Sequence, residues 1–160
     1  MIRVGLGYDI HRLVEGRRLV LGGVEIPFER GLDGNSDADV LTHACCDALL
    51  GAVAAGDLGR HFPERDPQWK GVSSLVLLER VVAIVAERGY AVSNVDATII
   101  AERPRLASHV REMAGRLAAV LRVAPDAVSV KATTTNGLGL IARGDAVAAC
   151  AVAAVSRTAA

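Results

Sequence analysis

The chain has 160 residues; 51% are hydrophobic, only 3% are aromatic, and 27 are alanine. That length fits a single domain over residues 1–160 and lets the fold bury about 70% of the unfolded chain's surface, so neither a disulfide nor a metal is needed merely to fold. Eighteen basic side chains balance eighteen acidic ones, which excludes the basic excess of a nucleic-acid binder and the high net charge of a disordered chain.

Residues 2–10 read as a strand that runs into Asp9 and His11. This N-terminus lacks the apolar core of a secretion signal, and no apolar run in the chain reaches the roughly 18 residues of a membrane span. Residues 18–26 form a predicted hairpin turning at Gly22-Gly23. A polar loop, Gly31 to Ser36, follows. Val40, Leu41, Ala44, Ala48, Leu49, Ala52 and Val53 then recur at helical spacing. Asp37 or Ser36 is the expected N-cap of that helix and Gly56 its stop. Residues 57–72 hold two prolines and no apolar period. Irregular stretches longer than about 12–15 residues carry function or move. A second helix is predicted from Ser73 or Ser74 to Arg88, ended by Gly89. A strand covers 91–102, a third helix 107–121 and a further strand 127–134. After a tight connection around Gly137, Gly139 and Gly144 comes a last strand, 145–156.

That last strand does not alternate apolar with polar residues, so both of its faces should be buried. Three helices cannot cover both sides of the sheet. The fold class that follows is α/β, as a two-layer α+β sandwich: one small mixed sheet, three helices on one face, and the other face packed against further copies of the chain. Three cysteines, two of them adjacent at Cys45 and Cys46, read as reduced thiols and point to a cytoplasmic protein.

The chemistry-bearing residues are few. Asp9 and His11 lie at i and i+2 of one strand and emerge on the same side. His43 sits mid-helix with Asp47 one turn later, where a carboxylate can accept the second ring N–H of a metal-bound histidine. One carboxylate and two imidazoles leave an open coordination position, the pattern of a catalytic zinc site. Spacing alone leaves a second reading open, because D-x-H is a common tripeptide and a helix histidine is often just a hydrogen-bonded polar residue. His61 and His109 have no ligand partner in spacing, and there is no C-x-x-C. Gly5-Leu6-Gly7 continues to Ile10, so the dinucleotide fingerprint fails at its third glycine. Lys131 to Gly137 ends a strand with three threonines. It either offers phosphate oxygens several donors or is simply a threonine-rich strand end.

These segments, taken in order, resemble the 2-C-methyl-D-erythritol 2,4-cyclodiphosphate synthase family over essentially the whole chain. The matching segments are Gly5 to His11, Ser36 to Val40 with His43, Asp47 to Gly51, Gly56 to Gly59, Phe62 to Pro67, Lys70-Gly71, Ala101 to Arg105, Val130 to Thr135 and Arg143 to Asp145. The resemblance implies a homotrimer with sheets facing the threefold axis and active sites between subunits. It implies cyclisation of a small-molecule diphosphocytidyl substrate, with a zinc ion (or another divalent transition metal) on Asp9, His11 and His43, and Mg²⁺ or Mn²⁺ on the phosphates. It assigns the methylerythritol part to Asp57, Gly59, Phe62, Pro63, Glu64, Arg65 and Asp66, and makes Ile10, Ser36 and Leu58 further substrate-binding residues. The cytosine pocket falls to Ala101, Glu102, Arg103, Pro104, Arg105, Leu106 and Ala107. The diphosphate falls to Thr133 and Thr134, with Thr134 supporting the transition state. Ala132, Thr135, Leu140 and Arg143 are further substrate-binding residues, Arg143 near the trimer axis. Of the five aromatics, Tyr8, Phe62 and Trp69 lie in or beside these segments.

Four positions depart from the family pattern. Asn35 stands where a transition-state-stabilising histidine is usual, and can donate from its amide but carry no charge. Asn136 stands where a magnesium-binding glutamate is usual, and is the weaker ligand. Leu140 replaces a common phenylalanine. Cys150 replaces a glutamate facing the axial cavity, which leaves Arg143 without that partner and makes isoprenoid-diphosphate binding there an expected absence. Two alternatives stand beside the synthase: a zinc phosphodiesterase using water as nucleophile, and an activity-impaired homologue that only binds nucleotide.

Overall fold

The computed structural model describes residues 1–158. The strands are β1 (Ile2–Glu15), β2 (Leu19–Leu21), β3 (Val24–Ile26), β4 (Arg30–Leu32), β5 (Tyr90–Ile100), β6 (Val128–Thr133) and β7 (Ala146–Arg157). The helices are α1 (Val40–Ala52), α2 (Leu58–His61), α3 (Ser74–Glu87), α4 (Val110–Leu121) and α5 (Gly139–Ala142). Five strands form one mixed sheet in the order β4-β1-β7-β5-β6, with only β5 and β6 parallel; β2 and β3 pair separately. The three long helices layer on one face, which is the expected two-layer architecture. The hairpin turns where its two glycines predict, with Gly22 and Gly23 both at positive φ (58° and 72°).

Several boundaries differ from the sequence expectation. β1 does not stop at Ile10. It runs to Glu15, because it pairs with β7 through Arg12 and then takes β4 as a new partner over Leu13 to Glu15. Helix α1 is capped by Asp39, not by Asp37 or Ser36. Asp39 accepts from Thr42 N–H at 3.0 Å and Thr42 O–H at 2.7 Å. Its carboxylate also takes the N–H groups of Gly22 at 2.9 Å and Gly23 at 2.7 Å, so one buried anion ties the hairpin to α1. Burial pushes the Asp39 carboxyl above its ordinary range even though these donors oppose that shift. The short elements β4, α2 and α5 carry too few residues for a hydrophobic period to reveal them.

One contact decides how α1 sits. Gly5 and Gly7 of β1 face that helix directly. A Cβ on Gly5 would lie 2.0 Å from the Ala48 carbonyl oxygen, and one on Gly7 would lie 1.9 Å from that of Ala44. The helix and strand therefore touch backbone to backbone. The glycine pair that fails as a nucleotide fingerprint is a packing device.

The opposite face of the sheet is bare. Leu6 is 71% exposed and its cross-strand neighbour Val152 is 43% exposed, and Ile2, Val4 and Tyr8 join them. On β7 the residues facing the helices, Val147, Ala149, Ala151, Ala153 and Val155, are all fully buried; on the opposite face Ala146 and Ala148 are buried too, but Val152 is exposed and Cys150 and Ala154 are half-buried. The expectation that both faces of this strand are buried is therefore met by the chain itself along one face and only at the start of the other.

Candidate active site

The close approach of α1 to β1 carries His43 onto Asp9 and His11. The Asp9 carboxylate oxygen Oδ2 lies 2.9 Å from His11 Nε2 and 3.0 Å from His43 Nδ1, and the two ring nitrogens are 3.3 Å apart. These three ligand atoms all lie within 4.8 Å of one another. The ring of His11 is turned by its other nitrogen, Nδ1, which donates to the Asp33 carbonyl. A carbonyl only accepts, so a neutral His11 carries its proton on Nδ1 and offers a lone pair from Nε2. A carboxylate and imidazole nitrogens aimed at one point, with an open side toward a cavity, fit a divalent cation of the zinc type.

Without a metal, a proton takes that place. Burial raises the cost of charging Asp9, but the imidazoles of His11 and His43 beside it outweigh that and hold its carboxyl well below the usual 3.8. Burial likewise opposes the charge on His11, and Asp9 outweighs it and raises the imidazole above 6.5. The signs are opposite, so the consequences are too. The depressed carboxyl adds stability that is lost as pH falls through its folded pKa; the raised imidazole adds stability that is lost as pH rises through its own. Chelator-stripped protein should therefore be most stable between about pH 4 and about pH 6.5, losing the imidazole's share as pH rises from there through the folded pKa of His11. Metal affinity should climb as pH rises toward that folded pKa, since the cation displaces that proton. Urea unfolding of stripped protein and chelator competition across pH check both; an affinity that is flat from pH 5 to 8 contradicts the shared centre.

The three ligands lie at the base of a cavity of about 400 Å³. Its lining brings together six of the expected substrate-binding residues, Ser36, Asp57, Leu58, Gly59, Phe62 and Glu64, with Asn35 and Asp47 beside them. Trp69 and Leu77 complete it. Trp69 stacks edge-on against Phe62, with ring centroids 5.0 Å apart, and its buried indole N–H has no partner among the described residues. Leu77 was not among the expected site residues; its place one turn after Ser74 on α3 is the only cue, and core leucines share that spacing. Asp57 caps α2 through the Arg60 N–H at 2.9 Å.

Asp47 needs correction. It does not accept the second ring N–H of His43. Its Oδ1 takes the Leu58 N–H at 2.7 Å and so pins the start of α2 over the cavity. Burial raises its carboxyl above the ordinary value. His43 Nε2 instead lies 2.9 Å from Ser74 Oγ and 3.2 Å from Ser36 Oγ. Ile10 is also displaced from expectation. Strand alternation turns its side chain to the bare sheet face, and its N–H goes to Asp9 Oδ1 at 2.9 Å. Pro63 and Arg65 are exposed beyond the lining, and Asp66 caps the turn at Pro67–Trp69.

A second cavity, about 380 Å³, gathers Ala101, Glu102, Pro104, Arg105, Leu106, Ala107, Ala132, Thr133 and Thr134. The Ala101 N–H donates to the Thr133 carbonyl at 3.0 Å, which joins the two segments. The Arg103–Pro104 bond is cis, and Arg103 itself points outward. One Glu102 carboxylate oxygen and the Thr135 hydroxyl are buried without partners. Asn136 and Leu140 are exposed on the following turn. Arg143 is exposed too, but it does not lack an anion: its Nε donates to Asp145 at 2.8 Å. The two cavities share no residue. The register Asp9–Ala149–Ile99–Ala132 separates them by three strand spacings, about 14 Å.

The profile of the YgbB family matches residues 2–156. A 2-C-methyl-D-erythritol 2,4-cyclodiphosphate synthase from Pelotomaculum thermopropionicum is 57% identical over 157 residues, covering 98% of this chain and 97% of its own. Among solved structures, the bifunctional IspDF of Campylobacter jejuni superposes with a TM-score of 0.94 at 36% identity, over 98% of this chain and 42% of the larger protein. A CDP-bound 2C-methyl-D-erythritol-2,4-cyclodiphosphate synthase superposes at 0.88 and 36% identity, over 96% of this chain and 100% of that one.

Proposed function

The chain belongs to the YgbB family, and from that premise we propose how its residues carry out the family's reaction. The enzyme converts 4-diphosphocytidyl-2-C-methyl-D-erythritol 2-phosphate to 2-C-methyl-D-erythritol 2,4-cyclodiphosphate in non-mevalonate isoprenoid synthesis. An oxygen of the 2-phosphate bonds to the β-phosphorus, the bond from that phosphorus to the α-phosphate breaks, and CMP leaves. The convergence of Asp9, His11 and His43 at the base of a cavity carries this reading. The substrate brings its own nucleophile, so the protein's work is positioning and charge neutralisation.

Asp9, His11 and His43 would hold zinc, which when bound supplies Lewis acidity to a β-phosphate oxygen. Asp57, Gly59, Phe62 and Glu64 surround the methylerythritol part beside it. The Ala101–Ala107 segment takes cytosine, largely through backbone groups. Thr133 and Thr134 offer hydroxyls to the diphosphate, and Asn35 an amide donor. Asn136 would offer Mg²⁺ or Mn²⁺ a neutral oxygen. The residue has a local reason to be asparagine: its φ is +52°, a region asparagine enters more cheaply than glutamate does. A substrate that joins the two cavities needs a neighbouring subunit to bring one to the other. The bare apolar face of β1 and β7 supports a homotrimer closed on that face. Free thiols at Cys45, Cys46 and Cys150 suit a reducing compartment, and we place the enzyme in the cytoplasm.

Phosphorus NMR of substrate with purified enzyme tests the reaction. Cyclic diphosphate and CMP are expected, and a zinc chelator should stop both. Hydrolysis products would favour a phosphodiesterase, and CDP binding without turnover a silent homologue. In a magnesium titration, Asn136→Glu should lower the half-saturating concentration on the order of tenfold by adding ligand charge, while destabilising the turn by about 1 kcal/mol. An unchanged magnesium requirement removes Asn136 from the metal's surroundings.

A further inference from the structure

The geometry points to a hydrogen-bonded relay, Asp37–Ser74–His43, that fixes the ring tautomer of His43 and makes Ser74 and Asp37 positioning residues for the metal ligand. It deepens the metal role proposed for His43 and rests on that role for its functional meaning.

Ser74 is the first residue of α3 and is fully buried. Its hydroxyl touches two groups of different character: His43 Nε2 at 2.9 Å and the Asp37 carboxylate. Asp37 receives only donors. Besides the Ser74 hydroxyl it takes the Ser74 N–H at 3.1 Å and the Asp39 N–H at 3.3 Å. A carboxylate at this site accepts and cannot donate, so the single hydroxyl proton of Ser74 goes to Asp37. Only lone pairs of that oxygen remain for the imidazole. His43 must therefore carry its proton on Nε2. Ser36 Oγ lies 3.2 Å from the same nitrogen and 3.4 Å from Ser74 Oγ, and it accepts from the Ala38 N–H at 3.1 Å.

The consequence appears at the other end of the ring. With Nε2 protonated, Nδ1 presents a lone pair toward Asp9 at 3.0 Å and His11 at 3.3 Å. In the opposite tautomer Nδ1 would carry a hydrogen into the metal position. The relay thus does for His43 what the Asp33 carbonyl does for His11. It also explains why Asp37 does not cap α1. The residue closes the N-terminus of α3 and so couples that helix's placement to the orientation of a ligand on α1.

Two measurements test this on the full chain. The first reads the nitrogen-15 shifts of the His43 ring in wild-type protein stripped by chelator, at a pH where the ring is neutral. The Nε2–H tautomer is expected; the Nδ1–H tautomer overturns the relay. The second reads zinc affinity by competition with a chromophoric chelator. Ser74→Ala should weaken zinc binding about 10–100-fold, the usual cost of losing such a partner, and Ser74→Thr should stay near wild type because it keeps the hydroxyl. Asp37→Asn should also weaken binding, since its amide must turn a donor toward one of three donors. Ser74→Ala that melts normally and binds zinc as tightly as wild type overturns the proposal. If any variant fails to fold, the wild-type tautomer decides alone. A wild-type protein with the Nε2–H tautomer that binds no zinc upholds the relay and sinks the metal reading instead.

Discussion

Replacing Gly7 with alanine should destabilise the protein by at least about 3 kcal/mol, the upper part of the range for overpacking. The added Cβ would meet the Ala44 carbonyl oxygen at 1.9 Å, the Ala48 nitrogen at 2.7 Å and the Ala44 carbonyl carbon at 2.9 Å. All three are backbone atoms of α1, which cannot swing aside as a flexible side chain can. The helix must lift from the strand. His43 is adjacent to Ala44 in the sequence, so the same movement opens the gap between His43 and Asp9. Loss of stability and loss of metal affinity should therefore come together. A melting temperature lower by at least about 6–12 °C is expected for a domain of this size, with zinc binding weakened in the protein that remains folded. The control has the opposite sign. Gly115 lies exposed inside α4 with nothing within 4 Å of its Cβ position. Gly115→Ala should stabilise by up to about 1 kcal/mol through helix propensity alone. Should Gly7→Ala melt within about 2 °C of wild type, the backbone contact does not set the position of α1.

Gly5 and Gly7 also show where sequence reasoning stops. Their presence was plain, and the search for a phosphate loop around them failed for a sound reason. What they do depends on residues some forty positions away, Ala44 and Ala48, and no local pattern couples the two segments. The period-based elements fared better. α1, α3, β5 and β6 are legible because each repeats an apolar spacing long enough to be recognised, β7 because it is a continuous apolar run, and the Gly22-Gly23 turn because its positive φ angles demand glycine. Asp9 and His11 were legible as a same-face pair, and His43 as a helix residue, but their convergence needed the resemblance. Asp37 and Asp47 differ from the sequence reading for one physical reason. Both look like a local cap or neighbour, since side chains of this kind prefer partners within four residues. The fold gives Asp37 the start of α3 and Asp47 the start of α2, and lets Asp39, which does cap α1, also take the distant hairpin. Local preference decides when the chain is alone, and buried N–H groups at helix and turn ends decide when it is packed.

Asp9→Asn should lower the rate of CMP release by at least about 10³-fold, some 4 kcal/mol at the transition state, while leaving the protein folded. The substitution keeps shape and removes charge. Asp9 sits mid-strand with its backbone in the β1–β7 ladder opposite Ala149, and that ladder does not depend on the carboxylate. The centre does depend on it. Oδ2 lies between both rings, 2.9 Å from one and 3.0 Å from the other. An asparagine must turn either a neutral oxygen or an N–H group toward that point. The first removes the only negative charge among the three ligand groups, and the second aims hydrogens at the lone pair of His11 and at the cation's position. Either way the affinity for a divalent cation collapses. Two measurements separate this from a general defect. Thermal unfolding of the metal-free variant should stay within a few degrees of metal-free wild type above the raised pKa of His11, where the Asp9–His11 ion pair no longer contributes. Chelation should bring wild type down to the variant's rate and leave the variant's own rate unchanged, because both treatments remove the same interaction and their effects cannot add. Turnover within about tenfold of wild type at saturating zinc, or a further fall of the variant's rate on chelation, would place the catalytic metal away from Asp9.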